Sequence, residues 1–148
     1  MTEQQTGLPQ SMADLGPEEL NEISKGTFAG LMGLKVTELG PDRVRGEWVV
    51  TPQHHQPAGI QNGGVLCTAV ETLASTGASA WYGDRGIVVG VNNSTDFLRA
   101  VRAGKLTAEA TPIHRGGMQQ LWQVLVTDEE DRLVARGQVR IQNLPHRS

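Results

Sequence analysis

Apolar and polar residues alternate with period two from Val44, where Val44, Gly46, Trp48 and Val50 fall on one side and Arg45 and Glu47 on the other. That spacing predicts a half-buried strand. The stretch 51–62 carries two Pro-containing turns and ends in Asn62-Gly63-Gly64, an Asn placed as an N-cap before a long segment. From Gly63 to about Trp81 the chain is Val, Leu, Ala and Cys diluted by Thr, Ser and Gly, without a clear polar face at any helical angle. This predicts a central helix covered on nearly all sides. A turn at 83–86 is followed by four runs that read as strands: 87–97, 106–114, 121–127 and 133–143. The last alternates Leu133, Ala135, Gly137, Val139 and Ile141 with Val134, Arg136, Gln138, Arg140 and Gln142. Antiparallel strands with one wet and one dry face need something apolar to cover the dry one. The expected class is therefore α+β, a curved antiparallel sheet wrapped around one long helix.

At the N-terminus, residues 1–16 are polar and aperiodic and read as a frayed tail. Pro17 followed by Glu18 and Glu19 suits a first helical turn, with Leu20, Ile23 and Phe28 following at loose helical spacing. Residues 17–148 are read as a single domain, because 148 residues bury enough surface for one core without disulfides or metal.

Composition narrows the function classes. A net charge of −3 leaves no basic footprint for nucleic acid. The single cysteine, Cys67, rules out an internal disulfide and suits a reducing, cytoplasmic setting. Residues 1–16 lack the basic start and apolar run of a signal peptide. A membrane span of the helix's length would have to carry a central Glu and several hydroxyl side chains, which is costly. The distribution of charge says more than its total. Between Glu47 and Asp84 lie 36 residues, of which Glu71 alone is charged; average density would place about seven there.

Glu71 is the first candidate for chemistry. It sits eight residues into the helix expected to be buried, where a carboxylate needs hydrogen-bond donors, and Ser75 lies one turn on along the same face. Gly63 and Gly64 open the helix with unsubstituted backbone N–H groups that, with the helix dipole, suit developing negative charge such as an oxyanion. The axial rise from Gly63 to Glu71 is about 12 Å, too far for one carbonyl to meet both. A joint site would need two copies of the chain, with antiparallel helices across a two-fold axis. His54 and His55 are adjacent and point to opposite faces of an extended chain, so no metal site is expected. No Gly-x-Ser-x-Gly elbow is present, and Cys67 has no His or Asn near it in sequence. Arg99, Arg102 and Lys105 place three cations in one loop, either a solvated turn or a dock for an anionic group.

Gln56, Asn62-Gly63-Gly64, Glu71 and Ser75 together resemble the hot-dog-fold acyl-CoA thioesterases, in the branch with a catalytic Glu on the central helix. The resemblance extends over residues 33–143 and includes Asn93, Phe97, Arg99, Gly104, His114, Gly116 and Trp122. It implies hydrolysis of an acyl-CoA, with an aromatic acyl group, to free acid and CoA. Gly63 N–H and the Gln56 amide would polarise the thioester carbonyl. Glu71 of a neighbouring chain would attack it or activate water, and Ser75 would orient that carboxylate. Arg99, His114 and Gly117 would hold the nucleotide end. The resemblance further implies a homodimer or homotetramer with shared sites and no cofactor apart from the CoA of the substrate. This chain departs from the pattern in three places: Asn62 replaces the family's His, Ala100 replaces a Pro, and Ser94 stands where a His is sometimes found. An amide caps a helix and donates an N–H but carries no proton. A non-catalytic acyl-CoA-binding protein is therefore the alternative, and a hot-dog hydratase, which needs a His paired with an acid, ranks third.

Overall fold

The computed structural model describes residues 11–147. Two short helices, α1 (Pro17–Ser24) and α2 (Phe28–Leu31), precede strands β1 (Lys35–Leu39) and β2 (Val44–Val50). The long helix α3 (Gly63–Tyr82) follows, and then β3 (Gly86–Phe97), β4 (Gly104–Arg115), β5 (Gln119–Thr127) and β6 (Leu133–Pro145). The six strands form one antiparallel sheet in the order β1-β2-β4-β5-β6-β3. This is the hot-dog arrangement, with α3 as the filling.

Period-two patterning puts Val44, Trp48 and Val50 of β2 and Leu106, Ala108 and Ala110 of β4 on the inner face, with Trp122, Val124 and Val126 of β5 and Val139 and Ile141 of β6 beside them. They close on Leu66, Ala69, Val70, Leu73 and Ala74 of α3. Burial of this apolar surface, at about 25 cal/mol per Å², is the main force holding helix to sheet. A buried polar cluster on β5 and β6 interrupts it. Gln120 Nε2 donates to Asn143 Oδ1 at 2.8 Å and to Ala78 O at 3.3 Å, and Trp122 Nε1 donates to Gln120 Oε1 at 2.8 Å. Within this cluster each of these side chains finds a partner, as a low-dielectric interior requires.

The structure departs from the sequence reading in three places. The tail assigned to residues 1–16 is ordered at its C-terminal end: Met12–Asp14 forms a 3₁₀ turn capped by Ser11, and Met12 and Leu15 pack against the core. Its first ten residues lie outside the described region. β1 was not anticipated, because only Val36 of its five residues is buried and one side chain makes no period. Asn21 of α1 secures it, donating to Val36 O and accepting from Val36 N, both at 2.8 Å. This also covers a sheet edge that would otherwise be open. Last, α3 is covered less evenly than expected: only Gly64 is exposed, but one face is incompletely buried. Along that face Thr68, Glu71, Thr72 and Ser75 are only half-buried, with β3 flanking Glu71 through Gly90 and Asn93. Small hydroxyl residues fit both a core and a surface, so this face is faint in the sequence.

Candidate active site

The N-terminus of α3 is built by its cap. Asn62 Oδ1 accepts from Gly64 N at 2.7 Å, and Asn62 N donates to His54 O at 2.7 Å. Gly63 is the first helical residue, and the ring of Phe97 from β3 lies over it, 2.6 Å from where a Cβ would stand. Gln56, Gly63, Leu66, Phe97 and Arg99 line a common cleft of about 210 Å³. Three of the candidate residues are thus brought together at the helix start.

Gln61 lies in the same cleft and was not singled out from the sequence. It is 5% exposed; its Oε1 accepts from Trp48 Nε1 at 2.9 Å, while its Nε2 has no hydrogen-bond partner among the described residues. No pattern distinguishes it from a solvated loop Gln.

Two turns along α3, Glu71 opens into a different cleft, lined by Phe28 and Ala29 of α2, by Cys67, Thr68 and Thr72 of α3, and by Asn93 of β3. Its carboxylate is held from two elements. Ser75 Oγ lies 3.4 Å from Oε1, and Asn93 Nδ2 donates to Oε2 at 3.2 Å and to Cys67 O at 3.1 Å. Thr95 Oγ1 fixes the other end of that amide, donating to Asn93 Oδ1 at 2.7 Å. Gly90 of β3 provides the room: a Cβ there would overlap Glu71 Oε1. It stands where the β3–β6 register shifts, between Gly90 and Asn92. A Gly inside a strand is a sequence signal for a bulge or a close approach, and an Asn there is equally out of place; either would have pointed to this spot.

The remaining candidates are dispersed. Arg102 and Lys105 are engaged elsewhere, Arg102 Nη1 with Gly59 O at 3.3 Å and Lys105 Nζ with Glu47 at 3.4 Å. His114 and Gly117 lie at the far end of β4 from the loop bearing Arg99. The strand between spans about 30 Å, so within one chain they do not converge. Asn143 Nδ2 holds their turn by donating to Gly116 O at 3.0 Å and Gly117 O at 3.2 Å. His54 and His55 diverge: His54 Nδ1 accepts from Thr51 N at 3.2 Å, and His55 Nε2 is 2.7 Å from Arg102 O. Among the described residues no three His, Cys, Asp or Glu side chains are grouped to hold a metal. Nor is any helix long and apolar enough to cross a membrane.

Residues 58–135, which contain the cap of α3, Glu71, Asn93 and Arg99, match the model of the Thioesterase superfamily. The chain belongs to the thioesterase superfamily. A candidate esterase of Mycobacterium tuberculosis is 50% identical to this thioesterase over 123 residues, or 81% of this chain and 88% of that one. The structure of that esterase superimposes with a TM-score of 0.78 over 82% of this chain and 98% of its own. A thioesterase of Haemophilus influenzae is 30% identical, with a TM-score of 0.84, over 88% and 92% of the two chains. The proofreading thioesterase EntH of Cronobacter turicensis is 34% identical over 115 residues, or 78% and 84% of the chains. This thioesterase is therefore a thioester hydrolase of hot-dog fold.

Proposed function

We propose that this thioesterase hydrolyses an acyl-CoA with an aromatic acyl group, at sites shared between two copies of the chain. One observation carries the reading. Glu71, alone in charge among the residues of its cleft, is held by Asn93 and Ser75 on a helix whose first N–H groups lie about 12 Å away. That separation, and the division of the two groups between two clefts, supports a carbonyl polarised by Gly63 N–H and Gln56 of one copy and attacked beside Glu71 of the other.

As general base, Glu71 takes a proton from water while the water oxygen bonds to the thioester carbon. Negative charge grows on the carbonyl oxygen, where the helix N-terminus is most favourable. The carbon–sulfur bond then breaks with its electron pair on sulfur, and the proton held by Glu71 passes to the CoA thiolate. As nucleophile, Glu71 would form a mixed anhydride with release of CoA, and water would then cleave the anhydride. Thiolate leaves readily, so Asn62 in place of a proton-carrying His is tolerable. Arg99, beside Gln56, suits the phosphates of CoA. His114 and Gly117 would have to come from another copy to reach the same molecule. CoA enters within the substrate, and no separate cofactor takes part.

Thiol release from a panel of aryl- and alkyl-CoA thioesters tests the activity. Glu71→Ala should lower turnover at least a thousandfold, and turnover near that of the unchanged protein would refute the role of Glu71. Glu71→Ala mixed with Gly63→Pro should recover activity in heterodimers: Pro at the first helical position removes the N–H and keeps a helical backbone, with the Phe97 ring turned aside to admit it. Absence of recovery after verified subunit exchange would exclude a shared site. Tight acyl-CoA binding without thiol release would favour the non-catalytic alternative.

A further inference from the structure

The cleft beside Glu71 is walled on one side by α2, and the large side chain α2 contributes to it is Phe28. Phe28 is 67% exposed, whereas its neighbour Ala29 packs against the core. The short helix is pinned. Thr27 caps it, Oγ1 accepting from Gly30 N at 3.4 Å and donating to Ser24 O at 2.7 Å. Gly30 permits the close turn back onto α1, since a Cβ there would overlap Ser24 O. Phe28 is thus held in place while its ring stays uncovered in the single chain.

The chemistry of the cleft is uniform. Among the described residues Glu71 is the only charged one lining it, and none of them offers a cation to a second carboxylate. Two of its four hydroxyls are spent on backbone carbonyls: Thr27 Oγ1 on Ser24 O, and Thr68 Oγ1 on Gly64 O at 2.9 Å. The apolar part of the lining comes from Phe28, Ala29 and Cys67. The volume of about 690 Å³ has room for an aryl ring.

We infer that Phe28 is a specificity-determining residue, forming the apolar wall against which the acyl group lies and selecting uncharged aryl over short alkyl acyl groups. This rests on the assignment of the Glu71 cleft to the acyl group. Stacked or edge-to-face rings gain beyond simple burial, and an anionic acyl group would meet only the charge of Glu71.

The test uses two non-hydrolysable ketone analogues, S-phenacyl-CoA and S-acetonyl-CoA, whose dissociation constants are read by calorimetry without any turnover. The unchanged protein should bind the phenacyl analogue at least tenfold more tightly. Phe28→Ala should bring the two within threefold, Phe28→Leu should fall between, and Leu31→Ala, on the same helix but outside the cleft, should keep the full preference. In thiol-release assays Phe28→Ala should raise KM for benzoyl-CoA about tenfold, with kcat within threefold. An unchanged preference in both Phe28 variants, an equal loss in Leu31→Ala, or no binding of either analogue would overturn the inference. Thiol release by the unchanged protein judges the hydrolase reading separately: hydrolysis that persists with no change of preference overturns Phe28 alone.

Discussion

Gly90 and Glu71 share one space: the carboxylate of Glu71 occupies the volume a side chain on Gly90 would fill. The strand thereby sets where the carboxylate stands, and Asn93, three residues on, holds its other oxygen at 3.2 Å.

Gly90→Ala should lower kcat about 10- to 100-fold through displacement of the carboxylate, since an ångström of misplacement has that effect in a preorganised site. The position is solvent-exposed, so the melting temperature should shift by only a few degrees, and KM less than kcat. Steady-state kinetics with a thermal melt decide it; unchanged kcat would show that the position of Glu71 is not set by the strand.

Asn62 spends its Oδ1 on the N–H of Gly64. Asn62→Ala should therefore reduce the free energy of unfolding by about 1 kcal/mol, whereas Asn62→Asp, which keeps the acceptor, should retain it. Denaturant titration of the three proteins gives the comparison, and equal midpoints would deny the cap its role.

Gly77 lets α3 approach the sheet at Trp122, whose ring carbons lie 2.6 Å from where a Cβ would be. Trp122 is fully buried and tied to Gln120, so it has little room to retreat. Overpacking costs about 1–3 kcal/mol, against a gain of about 1 kcal/mol in helix propensity. Gly77→Ala should be less stable by ~1 kcal/mol in denaturant titration, and a gain in stability would contradict this.

Asp128 organises the β5–β6 turn, accepting from Glu130 N and Arg132 N, both at 3.0 Å, and pairing with Arg132 Nε at 2.8 Å. Burial pushes its carboxyl up, but the Arg132 backbone and guanidinium donors and the Glu130 N–H outweigh that and hold it below its ordinary value. A depressed value in the fold stabilises above the unfolded carboxylate range, about pH 4. That contribution is lost as pH falls through the lower folded value. The melting temperature of Asp128→Asn should lie below that of the unchanged protein at pH 7, and the gap should narrow as the pH is taken below the unfolded carboxylate range.

The α+β class, the helix start at Asn62, the isolation of Glu71 and most strands were legible because each rests on local chemistry: period-two alternation, an N-cap before glycines, one charge in a long uncharged stretch. The strand Lys35–Leu39 escaped because its partnership with Asn21 depends on a contact fifteen residues away. The same limit applies to the site. Periodicity places Ser75 beside Glu71, since both are on one helix face, but Gly90, Asn93 and Phe28 reach the carboxylate or its cleft only when β3 and α2 fold against α3. The sequence by itself determined which residue bears the charge and which helix bears the residue. Tertiary structure alone decided which strand holds its oxygens and which ring walls its cleft, because such contacts join residues that no local spacing relates.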